Sequence, residues 1–445
     1  MTLTSWINWA RLRGSRRPRT KPKRSTLPLR LTQLEDRSLP ATFLWINAGG
    51  GDFASGTNWR DQAGNTGVPG AGDDALILNA GINVTSSGAT TVRNLTSKAN
   101  LQITGGTLTA DAANLLGLTT ISGGALVLNK TSTASEVDLT GGSLGGIGPL
   151  RVTDEMTWTG GTLAGGLQIL DEATLEINGA AVKAINGGTL INDGTVQWLG
   201  DGDLEFRSGA SVRNLGVFED LTADNTLLLA SGSATFFNIG KYRKSTGTTD
   251  VGIRFDNTGA LWVDGSSTFK LNGEIAQIEF GGLRAGTWYV GSGCTLNFVG
   301  ETATSNSAAV TLGGLGATIS GLNVSSNSGS FTLAGGANFT NNTFFYNSGN
   351  IRIGPASTFT VEDYSQSSSG ALTFEIAGRP GSGFFGKLQS TDSSSLNGML
   401  QLRLVDGADT QEADAYSLLT STTLSGSFSS AVQDRFGTTT VFSVA

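Results

Sequence analysis

Histidine is absent from the 445-residue chain, and cysteine occurs once, at Cys294. Without histidine the chain cannot form a Ser-His-Asp or Cys-His nucleophile system, or a histidine-ligated metal site. A single cysteine allows no intrachain disulfide and no CxxC zinc or redox motif, so we interpret Cys294 as a small strand residue. Carboxylate-pair catalysis and calcium binding by aspartates stay open.

Proline and charged residues are scarce, at 8 residues and 15% of the chain. No apolar run reaches the length of about 18 residues that a membrane-spanning helix needs, so we predict no transmembrane helix. Glycine, by contrast, reaches 64 residues, about twice its average share. A chain rich in Gly, Thr, Ser and Asn with few helix formers predicts an all-β protein with many turns.

Charge is divided unevenly along the chain. Residues 1–34 carry nine Lys or Arg and no acid, whereas residues 41–445 carry 19 basic and 34 acidic side chains, a net charge of −15. Because an acidic surface repels phosphates, we expect the folded body not to bind nucleic acid. The basic leader could bind nucleic acid or anionic lipid, but it lacks the apolar segment of an ordinary signal peptide. We therefore interpret residues 1–42 as a targeting or processing segment, disordered or removed.

The leader ends in Leu34-Glu-Asp-Arg37, followed by Leu39 and Pro40. This segment resembles the LEDR-x-x-P leader found at the start of many large secreted and surface proteins of planctomycete bacteria. The resemblance implies export or association with the cell surface.

Two short motifs recur along the body. A Gly-Gly-(Thr/Ala/Ser)-Leu unit starts at Gly105, Gly123, Gly141, Gly160 and Gly187, with spacings of 18, 18, 19 and 27 residues. An Asn-x-Gly unit starts at Asn192, Asn214, Asn238, Asn257 and Asn347, and the first four are 22, 24 and 19 residues apart. Both periods fit one coil of a β-solenoid, in which Gly takes positive φ at corners and Asn side chains stack as an amide ladder.

Apolar residues alternate at i and i+2 and again at i+8 and i+10. The sets are Leu167/Ile169 with Leu175/Ile177, Val196/Trp198 with Leu204/Phe206, Leu261/Val263 with Phe269/Leu271, and Ile351/Ile353 with Phe359/Val361. Period two is typical of strands with the apolar side inward, and the gaps hold turn residues. One such unit cannot bury its apolar side alone, so the pattern predicts stacked coils around a shared interior.

We therefore predict an all-β, right-handed parallel β-helix. Residues 43–99 form an entry segment that caps the solenoid, residues 100–390 form the repeats, and residues 391–445 form the terminal coils and C-terminal cap. At about 20 residues per coil, the repeats make roughly 14 coils spaced ~4.8 Å apart.

Several segments resemble adhesin-like and autotransporter-like β-helix proteins. They are Trp45–Asp52, Asn58-Trp59 and Val68–Ala75 at the entry, Phe236–Lys241 and Phe255–Trp262 within the coils, and Leu396–Val405, Tyr416 and Gly426-Ser-Phe428 at the end. This resemblance implies a β-helix architecture and leaves the activity open, because the class is functionally mixed.

Chemistry-bearing residues form two acidic groups and one aromatic group. Acids of a polysaccharide lyase or glycosidase could come from Asp154/Glu155, Asp171/Glu172, Asp201/Asp203 and Glu362/Asp363. Calcium could bind Asp52, Asp61, Asp73 and Asp74, which we interpret rather as solvated cap residues. A sugar-stacking surface could use Trp45, Trp59, Trp158, Trp198, Trp262, Trp288 and Tyr289, although those in the alternating pattern, such as Trp198, are expected in the core.

These observations predict a secreted or cell-surface structural, adhesin-like protein without catalytic, cofactor or metal residues. Its partners would be glycans of the cell envelope or matrix, neutral or bridged by cations because the body is acidic. The alternative is a polysaccharide-acting β-helix enzyme. Convergence of acids from neighbouring coils in a groove beside Lys or Arg would favour that alternative.

Overall fold

Residues 40–434, except 406, 409, 412 and 413, are described by the computed structural model. The chain in this range is built almost entirely from short strands, and its 3₁₀ turns are Gly56–Asn58 and Pro380–Ser382. Among the described residues, no helix has the length and hydrophobicity of a membrane-spanning segment. The basic leader and its Leu34–Arg37 motif lie outside the described residues.

The first 16 strands are β1 (Thr42–Trp45), β2 (Gly51–Asp52), β3 (Trp59–Asp61), β4 (Asp74–Ile77), β5 (Asn83–Ser86), β6 (Thr90–Ser97), β7 (Asn100–Ile103), β8 (Thr107–Leu115), β9 (Thr119–Ile121), β10 (Ala125–Leu128), β11 (Ser132–Leu139), β12 (Ser143–Gly145), β13 (Leu150–Trp158), β14 (Gly161–Leu163), β15 (Gly166–Ile169) and β16 (Thr174–Ile177). The next 16 are β17 (Lys183–Asn186), β18 (Thr189–Asn192), β19 (Thr195–Trp198), β20 (Leu204–Arg207), β21 (Ser211–Asn214), β22 (Val217–Asp220), β23 (Asp224–Leu229), β24 (Thr235–Asn238), β25 (Lys241–Lys244), β26 (Thr248–Val251), β27 (Arg254–Asn257), β28 (Ala260–Val263), β29 (Thr268–Leu271), β30 (Ile278–Glu279), β31 (Gly282–Leu283) and β32 (Thr287–Gly291). The last 16 are β33 (Thr295–Phe298), β34 (Ala303–Asn306), β35 (Ala309–Gly313), β36 (Thr318–Ser320), β37 (Leu322–Asn327), β38 (Ser330–Leu333), β39 (Asn338–Asn347), β40 (Asn350–Ile353), β41 (Thr358–Gln366), β42 (Ala371–Ile376), β43 (Lys387–Ser390), β44 (Ser393–Leu396), β45 (Met399–Leu404), β46 (Leu419–Thr420), β47 (Thr423–Gly426) and β48 (Ser430–Asp434).

Strand pairing makes the protein a parallel β-solenoid of about 14 turns. In the central coils each strand pairs in parallel with the strand three places later, as β18 does with β21, β19 with β22, and β20 with β23. Each of these coils therefore contributes one strand to each of three faces. One of them, which we call face A, continues through β16, β19, β22, β25, β28, β32, β35, β38, β40, β42 and β45.

The described residues form one large apolar core and a small second cluster of Ile376, Phe385 and Leu404. Inward positions alternate with outward ones along the strands, because successive side chains of a strand point to opposite sides. All four apolar sets predicted from the i, i+2 pattern lie in this core, among them Leu167, Leu175, Leu261 and Phe269. The prediction of a stacked, shared interior is confirmed.

The two glycines of each Gly-Gly motif at a corner are required for different reasons. The second glycine of the pair takes the left-handed conformation at Gly106, Gly124 and Gly142, with φ of 59°, 62° and 60°. The first glycine of these pairs is needed for a different reason: a Cβ on Gly123 would lie 2.5 Å from the Thr104 carbonyl oxygen of the preceding coil. Both glycines are thus required by close stacking of the corners.

The Asn-x-Gly motif builds a buried amide ladder. Asn192 donates to Asn214 Oδ1 at 2.8 Å, Asn214 to Asn238 Oδ1 at 2.9 Å, and Asn238 to Asn257 Oδ1 at 2.7 Å. A second ladder joins Asn306, Asn327, Asn347 and Gln366 at 2.8, 3.0 and 3.3 Å. The amide ladder predicted from the sequence is confirmed. It also includes Asn306, Asn327 and Gln366, which were not among the Asn-x-Gly positions named above.

Candidate functional site

Two of the four acid pairs singled out in the sequence lie at turns or bends, and the other two lie within strands. Asp171/Glu172 follow β15, Asp201/Asp203 precede β20, and Glu362/Asp363 lie within β41. Several of these carboxylates bind backbone amides: Asp203 Oδ1 accepts from Thr226 N at 2.8 Å, and Asp363 Oδ1 from Ser393 N at 3.0 Å. Both of these carboxylates therefore bind the backbone of the following coil.

One of the predicted acids does meet acids of a neighbouring coil. Glu155 in β13 is the Cα partner of Glu136 in β11, and Asp138 lies two residues further along β11. Together with Leu118, Val137 and Thr157 they line a shallow groove of about 210 Å³. Burial raises the pKa of the Asp138 carboxyl. This lining, within the described part of the chain, includes no Lys or Arg.

The four aspartates of the entry segment are engaged in local structure. Asp52 accepts from Ala54 N, Asp61 from Asn65, and Asp73 from both Ala41 N and Gly70 N. Asp74 accepts two bonds from the Arg93 guanidinium, at 2.9 and 2.6 Å. Among the described residues, no group of three or more acidic or cysteine side chains could hold a metal ion.

The tryptophans divide into a buried and an outward group. Trp45, Trp59, Trp158, Trp198 and Trp288 are at most 1% exposed and belong to the core. Trp45, Phe53 and Trp59 pack edge to face at the entry end, with ring centroids 4.8–5.0 Å apart. Trp262 and Tyr289 are half-buried and occupy outward positions. Only these two of the seven aromatics considered for sugar stacking lie together on the surface.

Outward positions of face A, together with those of β7, β9, β11 and β13, which continue the face before β16, form a continuous row of polar and aromatic side chains. In chain order the row is Gln102, Thr120, Asp138, Thr157, Glu176, Gln197, Glu219, Arg243, Trp262, Tyr289, Thr311, Thr332, Arg352, Thr373 and Gln401. Because neighbouring strands are about 4.8 Å apart, the row presents hydrogen-bonding groups at a regular interval. We call it the face A row.

Trp262 and Tyr289 form the aromatic centre of this row. Their rings stack with centroids 4.6 Å apart and planes inclined by 29°. Lys241 Nζ lies 4.5 Å from the Trp262 ring centroid, and Arg243 binds Asp264 Oδ2 at 2.9 Å beside it. Gly313 leaves room for the Tyr289 ring, since a Cβ there would lie 2.5 Å from the phenolic oxygen. The pair is thus contacted by residues of the two flanking strands, β25 and β35.

Inward positions of face A contain a buried polar cluster that the sequence patterns did not reveal. Asp220 and Lys244, the last residues of β22 and β25, are Cα partners, and both side chains are 0% exposed. Asp220 Oδ1 accepts from Lys244 Nζ at 3.0 Å and from the Thr222 hydroxyl at 2.8 Å. Asp220 Oδ2 accepts from the hydroxyls of Tyr242 at 2.7 Å and Thr249 at 2.6 Å.

Burial acts strongly on the ionisable members of this cluster. Loss of hydration lowers the pKa of Lys244, and the nearby Asp220 charge opposes that shift. Burial, together with the Asp220 charge and hydrogen bond, raises the pKa of Tyr242 well above its ordinary value. A signal for the cluster was present in the sequence: Asp220 and Lys244 stand at i+2 from Phe218 and Tyr242, where an inward residue is expected.

The chain matches no protein-family model, no curated protein and no solved structure in comparisons with each.

Proposed function

We propose that this protein is a non-catalytic, adhesin-like structural protein of the cell surface or extracellular space that binds glycans along the face A row. The observation that carries the proposal is the outward stack of Trp262 on Tyr289 within a row of Thr, Gln and Arg side chains. Aromatic faces pack against the apolar faces of sugar rings, and neighbouring polar groups bind the hydroxyls. A rigid solenoid keeps both kinds of group at fixed spacing.

Charge defines the glycan class in this proposal. The body carries a net charge of −15 in residues 41–445, and the first half of the row contains Asp138, Glu176 and Glu219. Anionic polymers would be repelled at low salt. The favoured ligands are neutral polysaccharides, and acidic ones would need a bridging divalent cation.

Binding can be tested with the full chain and insoluble cellulose, chitin and neutral β-glucan, with alginate and pectate added in the presence and absence of calcium. Trp262→Ala should weaken retention on the neutral glycan roughly ten-fold, because aromatic anchors carry much of such binding energy. Phe237→Ala is the matched control: Phe237 is also half-buried and outward, but it lies on β24, on another face, below Arg213. Equal loss in both variants, or none in either, would refute the role of the Trp262–Tyr289 pair.

A polysaccharide-acting enzyme is the second candidate, and the groove of Glu136, Asp138 and Glu155 favours it. A carboxyl with a raised pKa beside further carboxyl groups is the arrangement that glycosidases use for acid and base. Release of reducing or unsaturated ends during the same incubations, lost in Glu136→Gln and Glu155→Gln, would replace the binding proposal. Retention without turnover supports the non-catalytic one.

A further inference from the structure

The Asp220–Lys244 contact differs from the equivalent inward contacts of the neighbouring coils, which are apolar. Along face A the equivalent inward positions are Ile177 and Trp198 before it, and Val263 and Val290 after it. The surrounding rings are aromatic: Phe218 stacks on Tyr242 at 4.9 Å, and Tyr242 contacts Phe269 at 5.1 Å. An amine and a carboxyl are thus held in contact in a dry, apolar interior, where an ion pair is costly.

We propose that Lys244 and Asp220 are joined by an intramolecular amide bond that cross-links two successive coils. The Lys244 Nζ attacks Cγ of Asp220, a new C–N bond forms, and the bond from Cγ to Oδ1 breaks. Starting from the ammonium and the carboxylate, two protons of the amine leave with Oδ1 as one water molecule. No oxidant, reductant or further reactant is needed.

The contacts of Asp220 suit each step of this condensation. Oδ2 already accepts bonds from the Tyr242 and Thr249 hydroxyls, which would stabilise the negative charge of the tetrahedral intermediate. The Thr222 hydroxyl accepts from Lys244 Nζ at 3.0 Å and donates to Oδ1 at 2.8 Å. It can therefore relay a proton from the nitrogen to the departing oxygen.

The product keeps its polar groups satisfied. The new carbonyl oxygen would be Oδ2, with both hydroxyl donors in place. The amide N–H would donate to the Thr222 carbonyl oxygen, which Lys244 Nζ already contacts at 2.8 Å. Desolvation lowers the pKa of Lys244 and so favours its neutral amine, which is the nucleophilic form. In a solenoid whose coils contact only their neighbours, such a bond would prevent separation of two adjacent coils.

Intact-mass measurement of the purified full chain tests the bond. We expect the mass to be lower by one water than the sequence requires, measured against a Lys244→Arg variant that cannot form the amide. After denaturation, trypsin should cleave after Lys183, which is equally buried in the fold, but not after Lys244. Residues 214–241 should be recovered joined to residues 244–254, with fragmentation placing the link at Asp220.

Other outcomes overturn the proposal. Full mass with normal cleavage after Lys244 shows that the pair is ionic. Loss of water without a cross-linked peptide identifies a succinimide at Asp220. Should Lys244→Arg not fold, Asp220→Asn provides an independent measurement, since the same geometry would release ammonia instead of water. Tyr242→Phe should slow the loss of water in freshly synthesised chain by about a hundred-fold, and an unchanged rate would refute the assigned role of its hydroxyl.

Discussion

Asn238 donates its side-chain amide both to Asn257 Oδ1 at 2.7 Å and to the Ala260 carbonyl oxygen at 3.0 Å, and both asparagines are fully buried. The same amide accepts from Asn214 through its own oxygen. Each such asparagine thus donates to the side chain of the next asparagine in the ladder and to a backbone carbonyl oxygen of the following coil. The first rung is incomplete: Asn192 Oδ1 has no hydrogen-bond partner among the described residues, because Ile169 occupies the equivalent position before it.

Removing a middle rung should cost more than one hydrogen bond. Asn238→Ala leaves one N–H of the Asn214 amide and the Asn257 side-chain oxygen without their Asn238 partners in the buried interior, and we expect a loss of about 3 kcal/mol in the free energy of unfolding. Urea unfolding followed by circular dichroism measures it. The control is Asn342→Ala, an exposed position, where the change should stay within about 0.5 kcal/mol. Similar values for both variants would contradict a structural role of the ladder.

Gly124 tests the stacked corners. Its φ is 62°, and an added Cβ would lie 2.4 Å from the Gly106 carbonyl oxygen in the preceding coil. Gly124→Ala should therefore lower the free energy of unfolding by at least roughly 1–3 kcal/mol, the usual cost of a strained backbone conformation. Gly72→Ala serves as the control, since the equivalent Cβ meets nothing within 4 Å and φ is not positive. An unchanged melting temperature of the Gly124 variant would show that the corner backbone shifts to accept the added Cβ without loss of stability.

Acid should weaken the entry end of the solenoid. The Arg93 hydrogen bonds hold the pKa of Asp74 below its ordinary value of 3.8. Because the pKa of Asp74 is lower in the folded state than in the unfolded state, its carboxylate stabilises the fold at pH values above about 3.8. This contribution is lost as the pH falls from about 3.8 through the folded-state pKa. Melting temperatures measured through this range should fall less steeply for Asp74→Asn than for the unchanged chain. Glu362→Gln, an exposed carboxyl elsewhere, should keep the original slope.

The core residues could be predicted from the sequence because the alternation of inward and outward side chains along a strand depends only on residues close together in the chain. Leu261 and Val263 point inward from β28, so Trp262 between them must point outward, and the row it belongs to follows from stacking the coils. The third strand of each coil was harder to recognise, since β18 ends in Asn192 where an apolar residue is expected. Partners in successive coils, such as Glu136 with Glu155 or Asp220 with Lys244, depend on the exact coil length.

Coil length varies along the chain, and pairing across coils is therefore not readable from a motif. Asp220 and Lys244 are 24 residues apart, whereas Asn238 and Asn257 are 19 apart. A shift of one residue would turn Lys244 from the interior to the surface. The buried cluster was missed for this reason, and because an inward charge breaks the apolar alternation used to find the strands.

Gly313 offers a test of the aromatic pair that leaves both rings in the sequence. Gly313 lies on β35 beside Tyr289, and its added Cβ would meet the phenolic oxygen at 2.5 Å and the ring carbons at 2.6–2.7 Å. Because the clash is with a side chain and φ is not positive, the ring should move while the backbone stays. We expect Gly313→Ala to weaken glycan retention several-fold with a melting temperature close to that of the unchanged chain, and the Tyr289–Trp262 stacking signal in near-ultraviolet circular dichroism to change. Gly72→Ala again provides the matched control, at a distance from face A. Undiminished retention together with an altered aromatic signal would show that the stacked geometry is not what the glycan recognises.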